Sequence, residues 1–231
     1  SQALGGDGPV HFAVPSGNFG DAFAGHVARA MGAPVGRILI ATNANDILPR
    51  TLATSRYARA PQSHATISPA MDIQVASNFE RLVFEALGRD AEATRGRYES
   101  FAQAGGFDLP DAAMAAIRAG FSAVAVSEDE TRAAMAAMRR ATGELVCPHT
   151  AVALAALEKG ADGWRPDGPV VTLATAHPAK FPDTVEAAAG ARPPLPAHCA
   201  HILDAPERAD PLPNDVAAVK RYVTERARAW A

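Results

Sequence analysis

The sequence predicts an α/β protein with a three-layer, mostly parallel sheet of three or more strands flanked by helices. Two apolar runs, residues 38–41 and 169–174, are of the kind buried on both faces of a parallel sheet. Residues 11–42 read as strand, turn, helix, strand, the βαβ unit that sets parallel strands side by side. Later helical segments carry their own start and stop signals. At 231 residues, 48% hydrophobic and 20% charged, the chain is long enough for one large domain or two small ones.

Residues 11–14 form the first strand and run into Pro15, Ser16 and Gly17, a break rich in turn formers. A helix follows, with Phe23, Val27, Ala30 and Met31 on one face and Gly32 where a left-handed C-terminal cap belongs. Residues 37–42 make the second strand, and 43–71, with Pro49, Pro61 and Pro69, read as loops with short helical pieces. Ser77 with Glu80 gives a capping-box signature for a helix striped by Phe79, Leu82, Val83, Ala86 and Leu87 and ended by Gly88.

Residues 91–106 are compatible with a helix, and an Ala-rich helix runs to about Ala119 before a strand over 121–126. Ser127 and Glu130 repeat the capping box ahead of a helix reaching Gly143, with Met135 and Met138 at core spacing. Pro148 opens a helix that Gly160 stops, the strand over 169–174 follows, and then a helix over 183–189. Residues 191–213 are proline-rich, and Asn214 is the expected cap of a last amphipathic helix carrying Val216, Val219, Val223, Ala227 and Trp230.

Charge and composition narrow the function classes. With 22 Lys plus Arg against 25 Asp plus Glu, the chain carries no positive field to recruit nucleic acid. Its apolar runs fall far short of the roughly 20 residues that cross a bilayer. Cys147 and Cys199 lack CxxC spacing and suit idle thiols in a reducing, cytoplasmic setting. His198, Cys199 and His201 lack a further ligand pair at zinc spacing and read as loop composition, so no metal is expected.

The chemistry concentrates in Gly17, Asn18, Phe19, Gly20 and Asp21, between a strand and a helix. Two glycines admit close backbone approach, and free N–H groups at a helix start favour an anion, typically phosphate. A tight strand-to-helix turn without a ligand fits the same spacing equally well. The segment matches neither the dinucleotide fingerprint nor the P-loop, and Asp21 opposes a bare anion unless its carboxylate turns away.

Longer blocks carry a resemblance. Val14-Pro15-Ser16-Gly17-Asn18-Phe19-Gly20-Asp21, Ala41-Thr42-Asn43-Ala44-Asn45-Asp46-Ile47-Leu48 and Ser68-Pro69-Ala70-Met71-Asp72-Ile73 resemble consecutive blocks of the threonine synthase family. So do Ser77-Asn78-Phe79-Glu80-Arg81-Leu82, Pro148-His149-Thr150-Ala151-Val152 and Ala174-Thr175-Ala176-His177-Pro178-Ala179-Lys180-Phe181, in order over residues 11–190. The resemblance implies a tryptophan-synthase-β-like fold (PLP fold type II) and a pyridoxal 5'-phosphate enzyme converting O-phosphohomoserine and water to threonine and phosphate. It implies that Gly17, Asn18, Phe19, Gly20 and Asp21 wrap the cofactor phosphate and that Thr175 hydrogen-bonds the pyridine nitrogen. A β-branched strand residue satisfied by backbone is the plainer reading of Thr175.

The family's Schiff-base lysine falls in a segment expected upstream of Ser1, so the chain resembles the C-terminal half, an incomplete large domain. Lys159, Lys180 and Lys220 are its only lysines, and none matches that lysine. No catalytic residue is therefore assigned, and the chain alone is expected to be inactive, with the N-terminal half as partner. Residues 1–190 are the expected large-domain portion, with 191–231 a tail and helix packed on it. Apolar surface left uncovered would favour a homo-oligomer. Cys147 stands where the family usually has an acid; His149 and His177 read as structural histidines near the cofactor. A related phospholyase and a non-catalytic phosphate-binding module are the competing readings.

Overall fold

A computed structural model describes residues 8–227. Its first unit, through Pro194, is built on four parallel strands, β1 (Val10–Pro15), β2 (Val35–Thr42), β5 (Phe121–Ala125) and β6 (Val170–Thr172), in the order β5-β2-β1-β6. The strand order brings the chain's first two strands to the centre. There β2 alternates cleanly, with Ile38 and Ile40 entering one core and Leu39 and Ala41 the other.

On the first face lie α1 (Gly20–Ala30), α2 (Ile47–Thr54), α3 (Phe79–Ala86), α4 (Ala91–Ala104) and α5 (Asp111–Gly120). Their buried residues Ala22, Leu48, Phe79, Phe101, Met114 and Ile117 share one cluster with Val14 and Ile38. On the second face, α6 (Glu128–Thr142), α7 (Pro148–Lys159) and α8 (Pro182–Ala189) contribute Met135, Val152 and Val185 around Leu39. Alanines at 151, 153, 155 and 156 are buried along α7, which lets that helix lie close on β1 and β2. Helix, sheet, helix is the three-layer arrangement expected from the sequence.

Several local expectations need correction. The face of α1 toward the sheet is Ala22 and Gly25, whose Cβ position would stand 2.8 Å from the Ile38 side chain; Val27 and Met31 are exposed. A small-residue face lets the helix approach closely, which apolar spacing alone does not reveal. Asn78, not Ser77, caps α3, and without a side-chain bond. The last strand is shorter than expected, ending at Thr172. Within 43–71 the chain forms the three-residue β3 (Arg56–Ala58), antiparallel to β4 (Gly106–Asp108). Here Tyr57 is fully buried among Phe79, Phe101 and Phe107. Burial pushes its hydroxyl pKa up to about 12, and its oxygen accepts from the Ala76 amide at 2.9 Å.

The second unit begins at Leu195. It holds a 3-10 turn (Ala197–Leu203) and α9 (Val216–Arg226), capped by Asp215 rather than Asn214 through a 2.7 Å bond from the Ala218 amide. The Arg226 guanidinium stacks 4.0 Å from the Tyr222 ring centroid. Trp230 lies outside the described residues.

Candidate functional site

The C-terminal ends of parallel strands are where an open α/β sheet offers backbone and loops to a ligand. At the end of β1 the Ser16 amide donates to Ala41 O at 2.8 Å, the last rung before the chain leaves the sheet. Gly17 then passes against the Pro69–Met71 turn so tightly that a Cβ would meet Ala70 O at 3.0 Å and Met71 Cα at 3.1 Å. Only glycine fits there without displacing backbone.

Asn18 ties the loop to the start of α3. Its carbonyl accepts from the Asn78 amide and from Asn78 Nδ2, both at 3.0 Å, and its Oδ1 accepts from Ser77 Oγ at 3.2 Å. That bond explains the missing capping box at Ser77. Phe19 adopts φ 67°, ψ 11°, and buries its ring 5.4 Å from Phe79 and 5.5 Å from Phe121. Its side chain belongs to the core, so only its backbone is available to a ligand.

Helix α1 starts at Gly20 with no side-chain cap. The N–H groups of its first turn thus have no intrahelical partner and carry the positive end of the helix dipole. Asn18, Gly20 and Asp21 are exposed beside them. On the neighbouring strand, Thr172 pairs with Ala13 and the Leu173 amide donates to Ala13 O at 3.0 Å. Thr175 follows two residues later, exposed, as Ser16 follows Ala13 by three. The structure therefore brings Gly17, Asn18, Gly20 and Thr175, far apart in sequence, to the same end of adjacent strands.

Beside this loop, past the end of β2, lies a buried polar network that the sequence reading missed. Asp72 accepts from Asn43 Nδ2 at 2.8 Å, Asn45 Nδ2 at 3.2 Å, Thr66 N at 2.7 Å and Thr66 Oγ1 at 2.6 Å. Asn45 Oδ1 in turn accepts from Ser63, His64 and Gln74. Such satisfaction stiffens the loops in a fixed arrangement. Pairs of polar residues flanking Ala44 and Ile73 were its only sequence trace.

At the start of α7, Cys147 is the cap, its sulfur accepting from the Thr150 amide at 3.4 Å, so the helix start survives the change of residue type. His149 is buried and touches Phe181, with ring centroids 4.9 Å apart; burial first, and Lys180 second, lower its pKa. His177 is exposed and accepts from the Ala179 amide. Lys159 pairs with Glu130 at 3.0 Å, while Lys180 and Lys220 are exposed. Among the described residues no group of three or more His, Cys, Asp or Glu could hold a metal ion, and no helix is long and apolar enough to cross a membrane.

Comparison with known proteins bears on the family and the fold. The family described as "Threonine synthase, C-terminal" matches residues 150–223. Threonine synthase of Pseudomonas aeruginosa is 43% identical over 94% of this chain and 46% of its own length. The crystal structure of PLP-bound threonine synthase from Brucella melitensis superposes with a TM-score of 0.87 at 46% identity, covering 98% of this chain and 48% of that one. The yeast threonine synthase structure gives a TM-score of 0.80 at 31% identity, covering 97% and 49%. The chain thus spans about half the length of the relatives it matches. By sequence and by fold alike, it belongs to the threonine synthase family, of which it matches the C-terminal half.

Proposed function

We propose that this chain supplies the cofactor-phosphate half of a threonine synthase, which converts O-phosphohomoserine and water to threonine and phosphate in the cytoplasm. One observation carries the reading: the uncapped start of α1, the glycine cradle at Gly17 and the exposed hydroxyl residue Thr175 meet at one end of adjacent strands. A phosphate fits the first two, because free amides and a helix dipole favour a dianion where no side chain intrudes. Gly17, Asn18, Phe19, Gly20 and Asp21 would surround it through backbone, and Thr175 would meet the pyridine nitrogen with a neutral hydroxyl. Pyridoxal 5'-phosphate, when bound, supplies the electron sink for the reaction. The PLP-bound state of the Brucella melitensis relative supports the choice of cofactor.

The chain's own lysines argue that covalent capture of the cofactor belongs to another segment, the N-terminal half of the same enzyme. Lys159 is held in an ion pair on the outer end of α7 and Lys220 sits on an exposed helix. Lys180 lies in a 3-10 turn five residues beyond Thr175. On this reading the isolated chain binds the cofactor reversibly and does not turn over.

Titration of the purified chain with pyridoxal 5'-phosphate, followed by absorbance, borohydride reduction and mass spectrometry, tests the proposal. Saturable binding that inorganic phosphate competes away, with no adduct after reduction, is the expected result. A stoichiometric adduct at Lys180, or binding indifferent to phosphate, overturns it.

A further inference from the structure

His149 is separated by 79 residues from the Ala70 amide, which donates to its Nε2 at 3.2 Å. A ring nitrogen that accepts has no proton, so the neutral imidazole carries its proton on Nδ1. Nδ1 is buried and has no hydrogen-bond partner among the described residues. The ring is closed in from three sides: by the Pro69–Met71 turn through Ala70, by Phe181, and by its own first turn of α7. The same turn that it holds is the one on which Gly17 rests, with Ala70 O and Met71 Cα filling the space of a Cβ.

We propose that His149 is a positioning residue for the anion loop: its Nε2 lone pair fixes the Ala70 amide, and with it the turn that sets the backbone path of Gly17. The inference rests on the reading of the Gly17 to Gly20 segment as a phosphate cradle. The chain of contacts is short and each link is specific. Without the imidazole acceptor, the Ala70 N–H is free to turn toward water, the Pro69–Met71 turn keeps only the apolar anchor of Met71, and the surface on which Gly17 packs is held less firmly. The loop amides then spread over a range of directions, and an anion must order them on binding.

Two substitutions separate this role from bulk packing. His149→Phe keeps a ring but has no acceptor. His149→Gln offers an amide oxygen at similar reach. Backbone hydrogen exchange, read by NMR, is expected to speed up at Ala70 and at residues 17–20 in His149→Phe, to recover in His149→Gln, and to stay constant at Leu39 in the sheet. Pyridoxal 5'-phosphate affinity is expected to fall on the order of tenfold in His149→Phe and to recover in His149→Gln. In the unmodified chain, the imidazole 15N shifts are expected to show an unprotonated Nε2 at pH 7, a measurement independent of whether His149→Phe folds.

Equal affinity in all three proteins, or a protonated Nε2 in the unmodified chain, overturns the positioning role while leaving the phosphate cradle intact. Exchange that responds as described in a chain that does not bind pyridoxal 5'-phosphate supports the tie and overturns the cradle.

Discussion

His11 accepts the hydrogen bond that a β-bulge denies to Arg37. The pairing of β1 with β2 passes from Val10↔Val35 to Phe12↔Ile38, so three steps on β2 face two on β1, and the Arg37 amide turns to His11 Nδ1 at 3.0 Å. His11 Nε2 completes the arrangement with Asp167 at 2.8 Å, a bond that holds the Asp167 carboxyl below its usual range. A Cβ on Gly36 would stand 2.8 Å from the ring. His11→Ala leaves a cavity and an unpaired amide between two central strands, and is expected to cost about 2–4 kcal/mol. Gly36→Ala is expected to cost about 1–3 kcal/mol by overpacking. Urea unfolding followed by circular dichroism measures both; losses below about 0.5 kcal/mol would show that the bulge is held by something else.

Gly17→Ala places a methyl at 3.0 Å from Ala70 O, where backbone rather than a flexible side chain must move. Pyridoxal 5'-phosphate affinity should fall by roughly tenfold or more, since the amides of the cradle shift together. Fluorescence titration of the variant beside the parent reads this directly, and an unchanged Kd would remove Gly17 from the site.

The buried His149 and the half-buried His26 predict an acid-sensitive fold. His26, stacked near Phe23 and Phe121, has its pKa lowered by burial and then by Arg29; His149 is lowered by burial and then by Lys180. In each case the folded state binds the proton less readily than the unfolded chain, whose histidines titrate near about 6.5. Their contribution to stability is complete above that value and is lost as pH falls through it toward the lower folded pKa. Urea midpoints should therefore drop between pH 8 and pH 5.5, and His26→Leu should reduce the drop. Midpoints independent of pH across that window would contradict the assignment.

Ser127 and Ser77 head identical Ser-x-x-Glu patterns with different outcomes. Ser127 Oγ accepts from the Glu130 amide and Glu130 accepts from the Ser127 amide, a complete capping box that also pulls the Glu130 carboxyl pKa down. Ser77 instead donates to Asn18. Ser127→Ala is expected to cost about 1 kcal/mol of stability. Ser77→Ala should cost less than half of that and act instead on exchange at Asn18. Equal stability losses would show that Ser77 caps α3 after all.

That contrast marks where the sequence is legible. The continuous apolar run of β2, the glycine stops at Gly32, Gly88 and Gly160, and the Ser127 box are local signals, and the fold obeys them because nothing distant competes. The loop from Gly17 to Asp21 was visible as a strand-to-helix turn. Its supports were not, because Ser77 reaches Asn18 across 59 residues of chain and His149 reaches the Ala70 turn across 79. Strands β3 and β4 are three residues each, too short for an alternating pattern, and they form because Tyr57 and Phe107 share an aromatic core. The Asp72 network was hidden for a related reason: each polar residue looks like loop composition until its partners are known.

Phe19 gives the loop a temporal character. A non-glycine residue in the left-handed region costs on the order of 1–3 kcal/mol, which its ring, wedged against Phe79 and Phe121, compensates. For the cradle to swing open, that ring would have to leave the interior, an event as rare as partial unfolding. The loop is therefore a fixed jaw rather than a flap: on the proposed reading an anion would meet amides that already point its way, and any closure over it would be carried by other segments.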